Sequence, residues 1–137
     1  DVLLEDIEIF KNYLVVEERK NGLTQIRVIN QIDKTEHYLD FGEPTYSSYV
    51  ATNLDFDTET LRYGYTSLTT PNSIFDYNLK SRAKVLLKQE EVVGGYDRNN
   101  YQSERVYAKA NDGTMIPVSI VYKRGINKNG KNPTLQY

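Results

Sequence analysis

Short apolar runs separated by turn residues dominate this chain, and no window of 11 to 18 residues carries a helical stripe. The runs predict ten strands, over residues 7–10, 13–19, 24–30, 36–39, 48–52, 61–67, 73–78, 84–89, 104–109 and 116–123. Lys20-Asn21-Gly22 supplies the Asn-Gly pair of a tight hairpin, in which both central residues take positive φ. Thr69-Thr70-Pro71-Asn72, Leu79-Lys80-Ser81-Arg82 and Asn111-Asp112-Gly113-Thr114 read as further turns. The chain is a series of hairpins.

A weak repeat organises them. Tyr13-Leu14-Val15-Val16, Ile26-Arg27-Val28-Ile29 and Tyr38-Leu39 each recur 48 positions later, at Leu61-Arg62-Tyr63-Gly64, Ile74-Phe75-Asp76-Tyr77 and Leu86-Leu87. About four strands per 40 to 50 residues is the signature of propeller blades, small antiparallel sheets that cannot bury their faces alone. The fold class expected is all-β, with two four-stranded antiparallel blades. Leu14-Val15-Val16 and Val28-Ile29 do not alternate, as suits sheets covered on both faces, while Glu17, Arg19, Arg27 and Gln31 are expected at a solvated rim. Only the first strands break register, because residues 54–60 lengthen the second blade's first connection. From Glu90 to Gln102 the character changes to a linker with Gly94-Gly95, and strands then resume out of phase, placing a boundary near Tyr101.

Twelve Tyr against four Phe and no Trp reinforce the strand reading. A net charge of −2 over 137 residues, without a basic block, argues against nucleic acid as a partner. Apolar runs of four or five residues are far short of a membrane helix, and no leader opens the chain, so no membrane partner is expected. Without cysteine there is no disulfide, thiolate metal site or thiol nucleophile, which fits a reducing compartment. Asp1 in place of an initiator Met, and an apolar strand just beginning at Leu135-Gln136-Tyr137, read as the ends of an excised segment.

The catalytic inventory is empty. A nucleophile on a strained strand-to-helix turn needs Gly-x-Ser-x-Gly, and none of Ser47, Ser48, Ser67, Ser73, Ser81, Ser103 and Ser119 has such flanks. The single histidine, His37, lies in a predicted strand and reads as a partly exposed rim residue rather than a general base. Asp55-Phe56-Asp57-Thr58-Glu59 lacks the glycine and terminal glutamate of a calcium loop and reads as solvated. Gly94-Gly95 is too sparse to cradle phosphate, and the tyrosines read as packing residues. No catalytic, cofactor-binding or metal residue is assigned, and no cofactor is expected.

Against this inventory, several segments resemble one family. Leu61-Arg62-Tyr63-Gly64-Tyr65-Thr66-Ser67-Leu68-Thr69-Thr70-Pro71 with Phe75-Asp76-Tyr77 looks like a last propeller blade of the oligopeptidase B branch of the prolyl oligopeptidase family. Leu86-Leu87-Lys88-Gln89-Glu90-Glu91-Val92 with Gly94-Gly95-Tyr96-Asp97 looks like the exit from that blade. Tyr101-Gln102-Ser103-Glu104-Arg105 and residues 112–123 are similar to the re-entry into the hydrolase domain and its first hairpin. Tyr13-Leu14-Val15-Val16-Glu17-Glu18-Arg19 and Gly22-Leu23-Thr24 resemble the preceding blade.

The resemblance implies a serine oligopeptidase whose seven-bladed propeller caps an α/β-hydrolase domain and admits only short peptides, cleaved after Lys or Arg. Residues 1–45 would be the penultimate blade, 46–92 the last blade, 93–102 the linker and 103–137 the start of the catalytic domain. The family's triad and the acidic residues that recognise a basic side chain lie downstream of these segments, so this stretch alone is expected to be inactive. Tyr137 matches the first Tyr of a Tyr-Gly-Tyr-Gly string whose second Tyr supports the oxyanion. Further expectations are a cytoplasmic protein, or a periplasmic one given an upstream leader, and self-association of the segment, most simply as a dimer. The competing reading is a free-standing β-rich module binding peptide or carbohydrate through its tyrosines.

Overall fold

The computed structural model describes residues 2–136, with ten strands in three antiparallel sheets and one 3-10 turn, Arg98–Asn100. β1 (Val2–Ile9), β2 (Tyr13–Lys20), β3 (Leu23–Asn30) and β4 (Glu36–Tyr38) form the first sheet in sequential order. β5 (Tyr46–Val50), β6 (Thr60–Ser67), β7 (Thr70–Asn78) and β8 (Lys84–Gln89) repeat the meander in the second. β9 (Tyr101–Lys109) and β10 (Met115–Lys123) form a separate hairpin. Each expected strand is present. β1 starts earlier than its apolar run alone indicates, because Val2 pairs with Lys20 and a bulge between Leu4 and Asp6 re-registers the strand.

The β2–β3 hairpin follows from its turn: Asn21 and Gly22 have φ of 52° and 75° between the paired Lys20 and Leu23. The β6–β7 hairpin differs from expectation. Its turn is Leu68-Thr69, and Pro71 and Asn72 lie inside β7. Ser67 pairs with Thr70 and Tyr65 with Ser73, so Pro71 and Asn72 together oppose Thr66 in a bulge. A bulge interrupts the ladder where proline has no N–H to give, which is why the strand tolerates Pro71.

That bulge also explains the repeat. The hairpin-tip pair Lys20–Leu23 corresponds to Ser67–Thr70, 47 positions on, and the extra residue in β7 restores 48 for the strands that follow. Val15 and Tyr63, 48 apart, therefore sit on opposite faces of equivalent strands and look toward each other across the gap between the sheets. Both are buried in one core with Phe10, Ile26, Val28, Leu61 and Tyr77. Tyr65, Phe41 and Tyr46 extend it as an aromatic group, with Phe41 stacked on Tyr65 at 5.2 Å between centroids.

Polar groups join the blades as well. Ser48 N–H donates to the Thr24 hydroxyl at 2.9 Å, and Val50 N–H to the Glu17 carboxylate at 2.8 Å. Glu17 thus reaches between the blades and not into a solvated rim, since it answers the partly buried Val50 N–H. Arg27 is likewise half-buried, paired with Glu18 and Glu36 at 3.1 and 3.0 Å, and Gln31 donates to Phe10 O. Of the four expected rim residues, Arg19 and Gln31 are exposed, as expected, while Glu17 and Arg27 are not.

Candidate functional site: the junction at one end of the blades

The β2–β3 turn, the β6–β7 turn, the connector of residues 39–45, the linker and the β9–β10 hairpin converge at one end of the two sheets. Arg105 of β9 donates to the Asn21 carbonyl, and Gly22 leaves room for it: a Cβ there would come within 3.0 Å of the guanidinium. Thr45 donates to Ser119 of β10 at 2.6 Å. Glu90 N–H pairs with Asn72 O at 2.9 Å, so the linker leaves along the bulge of β7. Gly94 and Gly95, at φ of 90° and 83°, then turn it back over the blade tip. Tyr96 hydroxyl reaches Thr69 O at 2.6 Å, and Arg98 reaches the Glu43 carboxylate.

Between linker and blade tip lies an open cleft of about 540 Å³, lined by Pro71, Gln89, Glu90, Tyr96, Asp97 and Arg98. No serine lines it, and the serine hydroxyls nearby are engaged in the fold. Ser67 Oγ accepts from Thr69 N–H at 3.0 Å, and Ser73 Oγ bridges Pro71 O and the Gln89 amide at 2.7 and 2.9 Å. Ser48 is bound to Thr24. The serine hydroxyls in these bonds hold turns and blades together.

His37 is partly exposed, as expected from its strand, and it also reaches the neighbouring blade. Its Nε2 lies 2.8 Å from the Tyr77 hydroxyl of the second blade. Burial and the nearby Arg82 hold its pKa below the ordinary imidazole value. Burial pushes the Tyr63 hydroxyl up to about 12, and Tyr65, buried beside Glu43, is raised further. These phenols stay neutral at physiological pH. Asp55, Phe56 and Asp57 form an exposed loop tied by the Lys11–Asp57 pair at 2.7 Å. Among the described residues, no group of three or more His or acidic side chains is placed to hold a metal ion.

Residues 1–90 match the model of the prolyl oligopeptidase N-terminal β-propeller domain. The chain belongs to the prolyl oligopeptidase family. It is 43% identical to the dipeptidyl aminopeptidase BI of Pseudoxanthomonas mexicana over 100% of its own length, and 33% identical to Protease 2 of Moraxella lacunata over 98%. It superposes on oligopeptidase B from Leishmania major with a TM-score of 0.80 and 34% identity, covering 94% of this chain. In each case it spans 19% of the relative's length.

For this prolyl oligopeptidase-family segment, the resemblance read from Ser67-Leu68-Thr69-Thr70-Pro71 and Ser103-Glu104-Arg105 is therefore correct at the family level. The structure brings both strings to the same end of the blades. Tyr137, the expected start of the oxyanion string, lies outside the described residues. The sequence reading missed Glu43, Tyr96 and Arg98, because their partners are distant along the chain and no local pattern marks them.

Proposed function

We propose that this chain is the closing part of a propeller, with its exit into a hydrolase domain, in a serine oligopeptidase that acts on short peptides. The observation that carries this reading is continuity. Similarity to peptidases of this family extends over both blades, the linker and the hairpin, covering 100% of the chain in one relative and 94% in a solved structure. In this reading residues 46–92 are the last blade, 93–102 the linker and 103–137 the beginning of the catalytic domain, with the triad supplied by later sequence. The blades restrict access to a buried site, which excludes folded proteins and admits short, flexible peptides.

The bond cleaved has two readings. Likeness to oligopeptidase B and Protease 2 favours cleavage after Lys or Arg inside short peptides. Higher identity to a dipeptidyl aminopeptidase favours removal of dipeptides from a free amino terminus. Blocked arginyl and lysyl reporters against dipeptidyl reporters with a free amine, assayed on the full-length gene product, decide between them. The 137-residue chain itself is expected to take no label from a fluorophosphonate serine probe, since no activated serine is present. A full-length product that neither labels nor hydrolyses any peptide reporter would overturn the peptidase reading.

A further inference from the structure

Glu43, in the connector between the blades, turns its carboxylate inward. Its side chain is 9% exposed, against 56% for its partner Arg98. Oε1 accepts the Thr70 hydroxyl at 2.8 Å and the Arg98 guanidinium, and Oε2 accepts the Thr69 hydroxyl at 3.4 Å. The Tyr65 hydroxyl is buried and without a hydrogen-bond partner, and the Glu43 charge beside it opposes its ionisation. One carboxylate thus gathers groups from the β6–β7 turn and the linker. Two residues later in the same connector, Thr45 holds Ser119 of the following hairpin.

We infer that Glu43 is a positioning residue that fastens the linker to the blade tips and fixes the direction in which the chain leaves the propeller. The linker has little structure of its own. Its 3-10 turn spans three residues, held by Asn100 N–H to Asp97 O at 3.1 Å and an Asp97 cap on Asn99 N–H at 2.9 Å. Two consecutive glycines at positive φ precede it and leave many conformations open. The ties that select one are Tyr96 to Thr69 O and Arg98 to Glu43.

A freely solvated ion pair would select weakly. Here one partner is desolvated and its remaining acceptor capacity is filled by two hydroxyls, which orient the carboxylate toward the guanidinium. Charge-assisted bonds in that setting are the stronger kind, and removing Arg98 leaves the Glu43 carboxylate buried without its counter-charge. For the enzyme reaction, the consequence rests on the peptidase reading above. A linker freed from Glu43 would loosen the angle between blades and hydrolase domain while leaving the bond-breaking groups untouched.

Hydrogen exchange on this chain tests the latch without reference to activity. Glu43→Gln and Arg98→Gln should each speed exchange of the amides at residues 94–100 on the order of tenfold. Protection in β2 and β6 should be unchanged, and the double variant should exchange no faster than either single one. Unchanged linker exchange in Glu43→Gln, additive effects in the double variant, or lost protection in β2 and β6 would each overturn the inference. In the full-length product, Glu43→Gln should raise kcat/KM for long peptides relative to short ones, with fluorophosphonate labelling as in the unmodified protein. A product that never labels sinks the peptidase reading and leaves the exchange result to stand by itself.

Discussion

The ring of Tyr49 lies directly over the backbone of Gly64, its cross-strand partner, so that a Cβ built on Gly64 would overlap the ring carbons. Gly64 is needed for this contact and not for its backbone angle, because its φ is not in the left-handed region. An aromatic laid across a strand glycine covers backbone that glycine otherwise leaves bare.

Two effects oppose each other in Gly64→Ala. Restricting the unfolded chain stabilises by roughly 0.4–1 kcal/mol, while displacing the ring costs roughly 1–3 kcal/mol. The displacement should win, giving a net loss of about 1 kcal/mol in urea denaturation. In a Tyr49→Ala background the same substitution should become neutral or stabilising. A loss that persists without the ring would show that position 64 demands glycine for another reason.

The Thr24–Ser48 contact between the blades predicts an unusually costly isosteric change. Thr24 is 6% exposed and Ser48 1%, and the Thr24 hydroxyl accepts the Ser48 backbone N–H. Thr24→Val keeps the shape but leaves that N–H buried without an acceptor, at a cost of about 1–3 kcal/mol. Ser48→Ala removes only the longer hydroxyl contacts, at 3.3 and 3.5 Å, and should cost less. Thermal unfolding of the two variants side by side gives the order, and equal losses would contradict it.

These contacts show what the sequence could and could not convey. Asn21-Gly22 set its hairpin correctly because two adjacent residues carry the whole requirement of the turn. Thr69 to Asn72 misled by two residues, because Pro71 sits at a bulge that is defined by Thr66 on the partner strand. The even spacing of Val15 and Tyr63 was visible as a repeat, yet it reflects two faces meeting across one core. Glu17 and Arg27 read as rim residues because charge in a strand usually marks the wet face, and only the neighbouring blade and neighbouring strands reveal their partners. Glu43 and Arg98, 55 positions apart, left no local trace.

Stability should depend on His37 near neutral pH. Its folded pKa is depressed, first by burial and then by Arg82, while the unfolded value is near 6.5. Between those two values the unfolded chain binds more protons, so stability rises with pH through this window. The contribution is present above about 6.5 and is lost as pH falls through the depressed folded value. Urea midpoints should therefore drop from pH 7.5 to pH 5.5, before most carboxylates titrate, and His37→Gln should flatten the drop. An equal drop in that variant would assign the dependence to other groups.

The last prediction concerns the outer faces. The described chain exposes 9527 Å², whereas a compact monomer of 15.9 kDa is expected to expose about 7,400 Å². Much of the excess is apolar and lies on elements without a covering layer: Leu3, Leu4, Ile7 and Ile9 on β1, and Val85, Leu86 and Leu87 on β8, are each 47% or more exposed. At about 25 cal/mol per Å², covering even ~400 Å² of such surface is worth on the order of 10 kcal/mol, comparable with the whole stability of a small domain. A second copy can supply that cover by pairing face to face, and β1 adds an eight-residue edge open to strand pairing. The isolated 137-residue chain should accordingly sediment as a dimer or larger at micromolar concentration. Leu4→Lys with Leu86→Lys should shift it toward monomer, since charge on these faces opposes burial. A monomer that is stable to dilution and unfolds cooperatively would show that the two blades close their core without the cover that their outer faces invite.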